Sequence, residues 1–447
     1  MTEVLRSGDD GWDSARTPWN LAFDQQPAMV ALPKNVDEVA EVVRTAKDAG
    51  LRLAVQAAGH AAGALGPVGD DTLLMKTLHM TGAEVDTAGR RARVSAAAKW
   101  HDVAPQAAAE GLAPLLGSSA EVGIVGFTLG GGLGWLGRKF GLACNSVLSA
   151  EVVTADGELV RADRDSEPDL FWALRGGGGS FGVVTALEFE LFPVPELYTG
   201  GMLWPWERAS EILHAWREWI AGQPDEVSGC GRIIQLPPIP EIPEPFRGRN
   251  LVGVEVAFLG DEESGAELVK PLRELGPEFD LCQKMPPDAL GYIHMDPEDP
   301  VPALSGHQML NELPAEAVDA FVEAAGPDSG SPLLSVEIRQ LGGALARQEP
   351  DAGALASLGH DFAMFAVGMV MSPEMGQAVA NQCEVVTRAF APWDAGVKYT
   401  NFTDAPTDPR MCFPPETFER LQQVKLKYDP DDLFRANHPI PCAAAAV

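Results

Sequence analysis

Glycines and a single histidine are the residues whose types and spacing in this sequence are best suited to chemistry. Between residues 116 and 147, nine glycines alternate with apolar residues such as Val122, Ile124 and Val125. This is not the composition of a flexible linker. Glycine permits positive φ angles and a close approach of the backbone to a ligand. The stretch therefore predicts a backbone folded tightly against a large, flat cofactor that carries phosphates.

The histidine, His60, lies in a second loop of small residues that spans residues 56–63. Loops of this kind that follow a β-α unit commonly hold phosphates through their backbone N–H groups. His60 is equally compatible with a packing or surface role, which is the usual one for a single histidine. No second histidine, cysteine or acid stands at metal-ligand spacing from it, so no metal site is predicted.

The element that positions this loop is a β-α-β unit. Residues 29–33 read as a strand, and Asn35 is a suitable N-cap for a helix with an apolar face that runs to Ala46. Gly50 occupies a helix-ending position, and residues 51–55 form the next strand, which leads directly into the His60 loop. Further along, Asp156-Gly157 predicts a hairpin turn between two strands.

Two familiar motifs occur in the wrong structural context. Residues 132–137 spell G-x-G-x-x-G, but the Asp156-Gly157 hairpin follows, and no acid stands at the end of the next strand, so a nicotinamide-binding Rossmann fold is not favoured. Residues 178–182 spell G-x-S-x-G, but here the order is helix, turn, strand, whereas a nucleophile elbow requires strand, turn, helix. A serine hydrolase is therefore not predicted.

The composition is that of a globular protein of two or three domains, with 447 residues, 46% hydrophobic and 22% charged. A net charge of −31 argues against nucleic acid or an anionic membrane as partner, because both would be repelled. Six cysteines stand without C-x-x-C spacing, and there is no signal-like segment or membrane-length apolar run. We therefore expect free thiols and a cytoplasmic location; the oligomeric state is not readable.

The middle of the chain begins at a proline-rich boundary near residues 193–196 and predicts a tryptophan-rich helix followed by alternating strands. In residues 333–341, period two places Ser335, Glu337 and Arg339 on one face. That face is either solvated or, as we favour, the floor of a polar cavity. The tryptophans and methionines of this region suggest a roomy apolar pocket. Beyond it, Tyr399 and Asn401 share a face of a predicted extended segment, and residues 415–428 predict a helix.

Taken in order, these pieces resemble the FAD-linked oxidases of the vanillyl-alcohol oxidase/p-cresol methylhydroxylase superfamily, and the closing segment resembles its berberine-bridge-enzyme-like branch. The resemblance rests on the Gly59-His60 loop, residues 122–134, residues 170–184, Tyr399-Thr400-Asn401, and residues 427–437. It covers most of residues 25–192 and 398–441. No single motif is specific, but five in the same order are.

The resemblance implies an α+β protein with a two-lobed FAD-binding domain of the PCMH type that is built from both chain ends. Residues 1–195 would form its N-terminal part, and residues 398–447 would return to it as the berberine-bridge-like segment. Residues 196–397 would form an inserted substrate domain, an antiparallel sheet backed by helices.

The resemblance also implies that His60 carries the flavin covalently. Many members add a second bond through a cysteine, but Ser119 stands at that position here, so attachment through His60 only is predicted. Gln56 and Ala57 replace the usual arginine and a glycine of the first loop. The cofactor-binding residues implied are Ala57, Ala58, Gly59, His60, Ala61, Gly117, Ser118, Ser119, Val122, Gly123, Gly126, Thr128, Gly131, Gly132, Gly182, Val183, Val184, Tyr399, Asn401 and Asn437.

The chemistry implied is hydride transfer from a small organic substrate, such as an aromatic secondary metabolite, to flavin N5, with dioxygen as acceptor. Tyr399 is the predicted base, with Glu337 and Arg339 completing the catalytic set. A phenol must have its pKa lowered to act near pH 7, and Arg339 is the candidate cation. Alternatively, Tyr399 only packs on the flavin. The alternative functions are a flavin-dependent dehydrogenase, a redox-neutral cyclase and a non-catalytic flavin-binding protein.

Overall fold

A five-stranded sheet near the N-terminus carries the His60 loop. The computed structural model describes residues 2–442, so residues 443–447 of the expected C-terminal segment lie outside the described residues. The first elements are β1 (Glu3–Leu5), α1 (Trp12–Arg16), β2 (Met29–Leu32), α2 (Val36–Asp48), β3 (Arg52–Gln56), α3 (Ala62–Leu65) and β4 (Thr72–Lys76). The strand order is β1-β2-β4-β3 followed by Phe434–Arg435, and all pairs except β1–β2 are parallel.

Helix α2 forms for the reasons that the sequence indicates. The Asn35 side chain accepts a hydrogen bond from the Glu38 N–H at the helix start. Val39, Val43 and Ala46 are fully buried against the sheet. The prediction of this β-α-β unit is confirmed, and because β3 and β4 are parallel, the loops that follow them emerge at one edge of the sheet.

A second, antiparallel sheet has the order β5-β6-β10-β8-β9, and a small pair, β7 with β11, accompanies it. The elements are β5 (Ala83–Asp86), β6 (Arg91–Ser95), α4 (Trp100–Ala108), β7 (Leu112–Ala113), α5 (Ile124–Leu129), α6 (Gly137–Phe140), β8 (Val147–Val153), β9 (Leu159–Asp163), α7 (Pro168–Gly177), β10 (Val183–Glu190) and β11 (Phe192–Pro193). Strands β8 and β9 pair as the Asp156-Gly157 hairpin predicts.

The interpretation of both misleading motifs is confirmed. The G-x-G-x-x-G segment follows helix α5 rather than a strand, and only the four-residue helix α6 begins at its last glycine. The G-x-S-x-G segment lies between helix α7 and strand β10, which is the reverse of the order that a nucleophile elbow needs.

The third region is an antiparallel sheet with helices. Its elements are β12 (Leu197–Pro205), α8 (Ala209–Ile220), β13 (Val227–Gln235), β14 (Asn250–Phe258), α9 (Glu262–Leu268), α10 (Lys270–Arg273), β15 (Phe279–Asp280), β16 (Gln283–Met285), β17 (Ala303–Leu310), α11 (Ala315–Ala325), β18 (Ser335–Gln340), β19 (Phe362–Met369) and α12 (Pro373–Ala389). The strand order is β15-β12-β14-β13-β18-β19-β17, with β16 beside β12. The α+β fold class is confirmed.

One face of this sheet packs on helices α8, α11 and α12. Val336, Ile338 and Met364 contribute to that core together with Trp216 and Phe321 from the helices. The opposite face carries Glu337 and Arg339 and lies against the N-terminal part of the chain, where Trp135 approaches His294. The polar face of β18 is therefore largely enclosed rather than solvated.

The predicted tryptophan-rich helix is only partly correct. Trp204 belongs to strand β12, which pairs with β14 over eight residues, whereas Trp216 and Trp219 belong to α8. A strand forms at Trp204 instead of a helix because pairing with β14 satisfies its backbone hydrogen bonds. Trp204 and Trp216 pack in the core behind the sheet, so the inference of an apolar pocket lined by these tryptophans is wrong.

The C-terminal segment returns to the N-terminal regions through α13 (Pro415–Tyr428) and β20 (Phe434–Arg435). Buried Lys425 pairs with Asp429 at 2.5 Å and donates to the Ser180 carbonyl oxygen at 3.1 Å. Leu421 and Ile440 join the apolar core that also contains Trp100. No helix among the described residues is long and apolar enough to cross a membrane.

Candidate active site

The His60 loop is fixed by the segment that precedes strand β2. The Trp19 N–H donates to the Ala58 carbonyl oxygen at 2.9 Å, and the Trp19 ring stacks on the His60 imidazole with 4.0 Å between centroids. Gly59 has a φ of +93°, and a Cβ at this position would lie 2.9 Å from Pro18 Cβ. The glycine is therefore required here for both conformation and space.

The imidazole of His60 is electrically neutral and has an unused nitrogen. Burial lowers its pKa to about 4, with a smaller contribution from Lys99 in the same direction. Its Nε2 atom is inaccessible to solvent and has no hydrogen-bond partner among the described residues. A neutral imidazole with a free lone pair is the form that acts as a nucleophile.

Further buried polar atoms of this loop, of the segment before β2, of α5 and of the C-terminal segment lack partners among the described residues. They are Trp19 Nε1, Gln56 Nε2, Thr128 Oγ1, Asp404 Oδ1 and His438 Nδ1. Two contacts connect these parts of the chain. Asn20 Nδ2 lies 3.4 Å from Asp404 Oδ2, and His438 Nε2 donates a hydrogen bond to the Thr400 carbonyl oxygen. Buried polar groups in folded proteins are normally paired, so this concentration fits a polar cofactor that supplies the missing partners.

A second segment that the sequence assigned to the cofactor, residues 117–123, contacts this loop. A Cβ on Gly123 would lie 3.7 Å from Ala57 Cβ, and the Glu121 backbone interacts with His60. Ser119 Oγ accepts a hydrogen bond from the Glu121 N–H. Glu121 and Gly123 therefore bring the segment of residues 117–123, which includes Val122, to the His60 loop, and helix α5, with Gly126 and Thr128, begins directly after Gly123.

Other glycines of the glycine-rich stretch are required because neighbouring protein atoms leave no room for a side chain. A Cβ on Gly131 would meet Leu355 at 2.6 Å, and one on Gly132 would meet Ala143 at 2.5 Å. Gly117 packs under the Phe127 ring. Tight packing of loop on loop therefore accounts for much of the glycine content that the sequence interpretation attributed to a ligand.

The remaining residues that were predicted to bind the cofactor lie in two places, the start of strand β10 and the segment after β20. Gly182, Val183 and Val184 lie at the start of β10, where Val183 pairs with Val153 of β8 and both valines are buried. Asn437 follows β20, which pairs in parallel with β3, so Asn437 stands at the same sheet edge as the His60 loop. The cofactor-binding roles of these residues stay predictions.

Tyr399 and Asn401 hold the glycine-rich stretch from the C-terminal side. The Tyr399 hydroxyl accepts the Leu133 N–H at 2.8 Å, and Asn401 Nδ2 donates to the Phe127 carbonyl oxygen at 2.8 Å. The predicted extended segment is wrong, because Thr400–Phe402 forms a 3-10 turn that is closed by the Phe402 N–H on the Tyr399 carbonyl oxygen. These contacts with the glycine-rich stretch favour the turn.

The Tyr399 phenol is fully buried, and burial raises its pKa well above the usual value. No lysine or arginine among the described residues contacts its hydroxyl; Lys398 Nζ donates instead to the His307 carbonyl oxygen. Arg339 lies over the Phe402 ring, 5.5 Å from its centroid. The cation that the sequence assigned to the phenol is therefore not in contact with it.

Glu337 and Arg339 belong to a chain of five charged side chains on the enclosed face of the sheet. Arg232 Nη1 lies 2.8 Å from Glu255 Oε1, and Glu255 Oε2 lies 2.6 Å from His294 Nδ1. His294 Nε2 lies 2.6 Å from Glu337 Oε2, and Glu337 Oε1 lies 2.5 Å from Arg339 Nε. Positive and negative groups alternate along the whole chain.

This alternation sets the protonation states. Burial and Arg232 lower the pKa of His294, but Glu255 and Glu337 outweigh them and raise it to about 9. Burial raises the pKa of Glu337, but Arg339 and His294 outweigh it and hold that pKa well below the usual range. At neutral pH all five groups are therefore charged.

Sequence reasoning missed Trp19, Arg232, Glu255 and His294. For Arg232 and Glu255 a signal exists, because each interrupts an otherwise apolar strand. Trp19 and His294 lie in irregular segments, where neither period nor spacing marks them. Among the described residues, no group of three or more histidine, cysteine, aspartate or glutamate side chains is arranged to hold a metal ion.

Comparison with known proteins agrees with this geometry. Residues 27–163 match the FAD binding domain family, and residues 398–441 match the berberine and berberine-like family. The chain is an FAD-dependent oxidoreductase that carries a berberine-like C-terminal segment. The resemblance read from the sequence is thus confirmed, and FAD is the cofactor.

Similar proteins cover nearly the whole chain of this oxidoreductase. (R)-6-hydroxynicotine oxidase from Paenarthrobacter nicotinovorans is 28% identical, with 98% of this chain and 96% of that protein aligned. Glucooligosaccharide oxidase from Sarocladium strictum is 27% identical, with 97% and 91% aligned. The crystal structure of 6-hydroxy-D-nicotine oxidase from Arthrobacter nicotinovorans superposes with a TM-score of 0.84 at 25% identity, covering 98% and 97% of the two chains.

Proposed function

We propose that this oxidoreductase is an oxidase that carries FAD covalently on His60 and oxidises a small organic molecule. When bound, FAD supplies the hydride acceptor, and dioxygen takes up the electrons. Residues 1–195 and 398–447 would form the FAD-binding domain, and residues 196–397 the substrate domain. The named oxidases among the similar proteins support this reaction class.

The state of His60 is the observation that carries the covalent proposal. Its neutral imidazole presents an unpaired Nε2 beside other unpaired polar atoms, and Trp19 limits the ring to one orientation. An imidazole that serves only to pack would be expected to find a hydrogen-bond partner for this nitrogen. Ser119 cannot supply the thiol for a second bond, so His60 would be the single point of attachment.

Lys76 would supply the positive charge that Gln56 does not. The two residues are register partners at the ends of β4 and β3, and Lys76 Nζ lies 3.4 Å from Gln56 Oε1 and 3.2 Å from the Thr17 carbonyl oxygen. Lys76 is 1% exposed, burial lowers its pKa to about 8, and no carboxylate among the described residues pairs with it. The phosphates of FAD would provide the missing negative charge.

Proton removal is assigned to Tyr399, with Glu337 and Arg339 beside the substrate. The raised pKa of Tyr399 means that the phenol is protonated at neutral pH unless the bound flavin or substrate lowers it. Glu337 is held ionised by His294 and Arg339, which also reduces its basicity. Tyr399 therefore remains the candidate base, and the Glu337–Arg339 pair would orient the substrate.

Acid denaturation tests the covalent bond. We expect flavin fluorescence to stay with the polypeptide of the purified wild-type protein and to be released from His60→Ala. His79→Ala, which removes an exposed histidine, is the control and should retain the flavin. Release from the wild-type protein would contradict the bond but not FAD binding. Oxygen uptake with release of hydrogen peroxide separates an oxidase from a dehydrogenase or a cyclase.

A further inference from the structure

The five-membered charge chain does not balance. Arg232, His294 and Arg339 are positive at neutral pH, whereas Glu255 and Glu337 are the two negative members. One positive charge is therefore in excess in a largely enclosed place, where unpaired charge is costly. The two arginines at the ends of the chain both keep unpaired donors among the described residues: Arg232 Nη1 contacts Glu255 and the His294 carbonyl oxygen, but Arg232 Nε is buried without a partner. Arg339 differs because it lies beside a cavity.

The next carboxylate, that of Asp296, does not pair directly with Arg339. Asp296 is half-buried and accepts a hydrogen bond from Ser118 Oγ at 2.7 Å. On the side of Asp296, Arg339 contacts Ser118 instead: its Nη2 lies 3.5 Å from the Ser118 Oγ. Asp296 therefore offsets the excess charge through an intervening group, and the guanidinium keeps unused hydrogen-bonding capacity.

The donors of Arg339 can be counted. Its Nε donates to Glu337, and its Nη2 has two contacts of 3.5 Å, to Ser118 Oγ and to His294 Nε2. Protonated His294 is itself a donor, so the second contact supplies no acceptor. No acceptor among the described residues lies within hydrogen-bond distance of Nη1.

The guanidinium is also held in place. The rings of Trp135 and Phe402 flank it, each with its centroid 5.5 Å from Cζ. Arg339 lines a small cavity of about 20 Å³ together with Gly134, Trp135, Ser228 and Gln340, between the glycine-rich stretch and the sheet. A planar cation with free donors at the wall of a cavity of this size can accept one oxygen atom of an anionic group, while the rest of the molecule lies outside the cavity.

We propose that Arg339 binds a negatively charged oxygen group of the substrate, either a carboxylate or an ionised phenol. The substrate class is therefore an organic acid or an acidic phenol rather than an amine, because the free donors of Arg339 pair with an anionic oxygen, whereas a cationic amine supplies no acceptor for them. The proposal rests on the oxidase function above and adds the chemistry that decides which substrates enter. The Glu337–His294 part of the chain holds the guanidinium in position.

Ligand titration of the flavin-loaded protein tests this with three probes of one shape: benzoate, benzamide and benzylamine. Changes in the flavin absorption spectrum and heats of binding report affinity. We expect benzoate to bind at least about tenfold more tightly than benzamide, and benzylamine to bind more weakly still. Equal affinity for benzoate and benzamide, or no benzoate binding at millimolar concentration, would overturn the proposal.

Variants separate the roles. Arg339→Gln should abolish the preference for benzoate, and Arg339→Lys should retain part of it; Arg388→Gln, at an exposed site, is the control. If Arg339→Gln lowers the flavin reduction potential while the preference for benzoate persists, Arg339 serves the reduced flavin and the proposal is wrong. Protein that contains no flavin would contradict the oxidase function, whereas flavin-loaded protein without anion preference contradicts this inference alone.

Discussion

His60 and His294 are both largely enclosed by protein, yet their imidazoles have opposite charge states at neutral pH. Around His60, burial is not compensated by acidic partners, so the pKa falls to about 4 and the ring is neutral. Around His294, two glutamates outweigh burial and raise the pKa to about 9. The partners within reach, not burial by itself, decide the charge of each ring.

The comparison extends to the two regions that contain these residues. Among the described residues, the His60 region has several unpaired polar atoms and a lysine that pairs with no carboxylate. In the His294 region, ion pairs of 2.5–2.8 Å link all five charged groups. The first region is incomplete in a way that a cofactor would complete, whereas the second is linked throughout by ion pairs, and unpaired donors remain among the described residues at its two arginines.

The largest effect is expected when the paired region loses one charge. Glu337→Gln leaves His294 and Arg339 without their shared partner, and breaking a buried ion pair costs about 3–5 kcal/mol. Urea unfolding of the flavin-free protein at pH 7 measures the loss. Glu384→Gln, in an exposed pair with Arg388, should leave stability unchanged. A similarly small effect for both variants would mean that water reaches the cluster.

The pH dependence of stability should show the two histidines acting in opposite directions. The folded-state pKa of His294 is raised from 6.5 to about 9, so its contribution is fully present below pH 6.5 and is lost as pH rises to 9. That contribution is about 3 kcal/mol. The stability difference between wild-type protein and His294→Gln should shrink by that amount over this window; a constant difference would contradict the assigned charge.

For His60 the pH dependence of stability has the opposite sign. Its folded-state pKa is lowered from 6.5 to about 4, so stability is present above pH 6.5 and is lost as pH falls towards 4, again by about 3 kcal/mol. In flavin-free protein, His60→Ala should lose less stability than the wild type over this window. Parallel curves for the two proteins would show that the imidazole is more accessible to water than the structure indicates.

Tyr399→Phe tests the assignment of Tyr399 as the base. If the phenol is the base, reduction of the flavin by substrate should slow by about 10²-fold or more, while the flavin stays attached. Rapid-mixing measurements of flavin absorbance follow this step. Unchanged reduction kinetics would assign Tyr399 to packing and to the Leu133 N–H alone.

The smallest effect is expected at Lys76. In a His60→Ala background, where FAD binding is reversible, Lys76→Met should weaken FAD binding about tenfold, because one charge-assisted contact to phosphate is lost. Riboflavin, which lacks phosphate, should bind equally to both proteins. Lys47→Met serves as a surface control. Equal weakening for riboflavin would show that Lys76 supports the fold only.

Local patterns in the sequence predicted the elements whose stabilising contacts are local. The Asn35 cap and the apolar face of α2, the Asp156-Gly157 hairpin, and the order of elements around the two misleading glycine motifs are all confirmed. The errors occurred where distant contacts decided the local structure. Trp204 joined a strand because β14 pairs with it, and residues 400–402 turned because the glycine-rich stretch binds their side chains.

The sequence by itself determined the cofactor and the fold class through the resemblance of five ordered motifs to a known family, and each of these motifs is contiguous in the chain. Only the tertiary structure decided which side chains meet. Arg232, Glu255, His294, Glu337 and Arg339 come from four separate segments, and a charge chain depends on distances that no sequence period encodes. The same holds for Trp19 on His60, whose contact arises when the segment before β2 packs over the loop after β3.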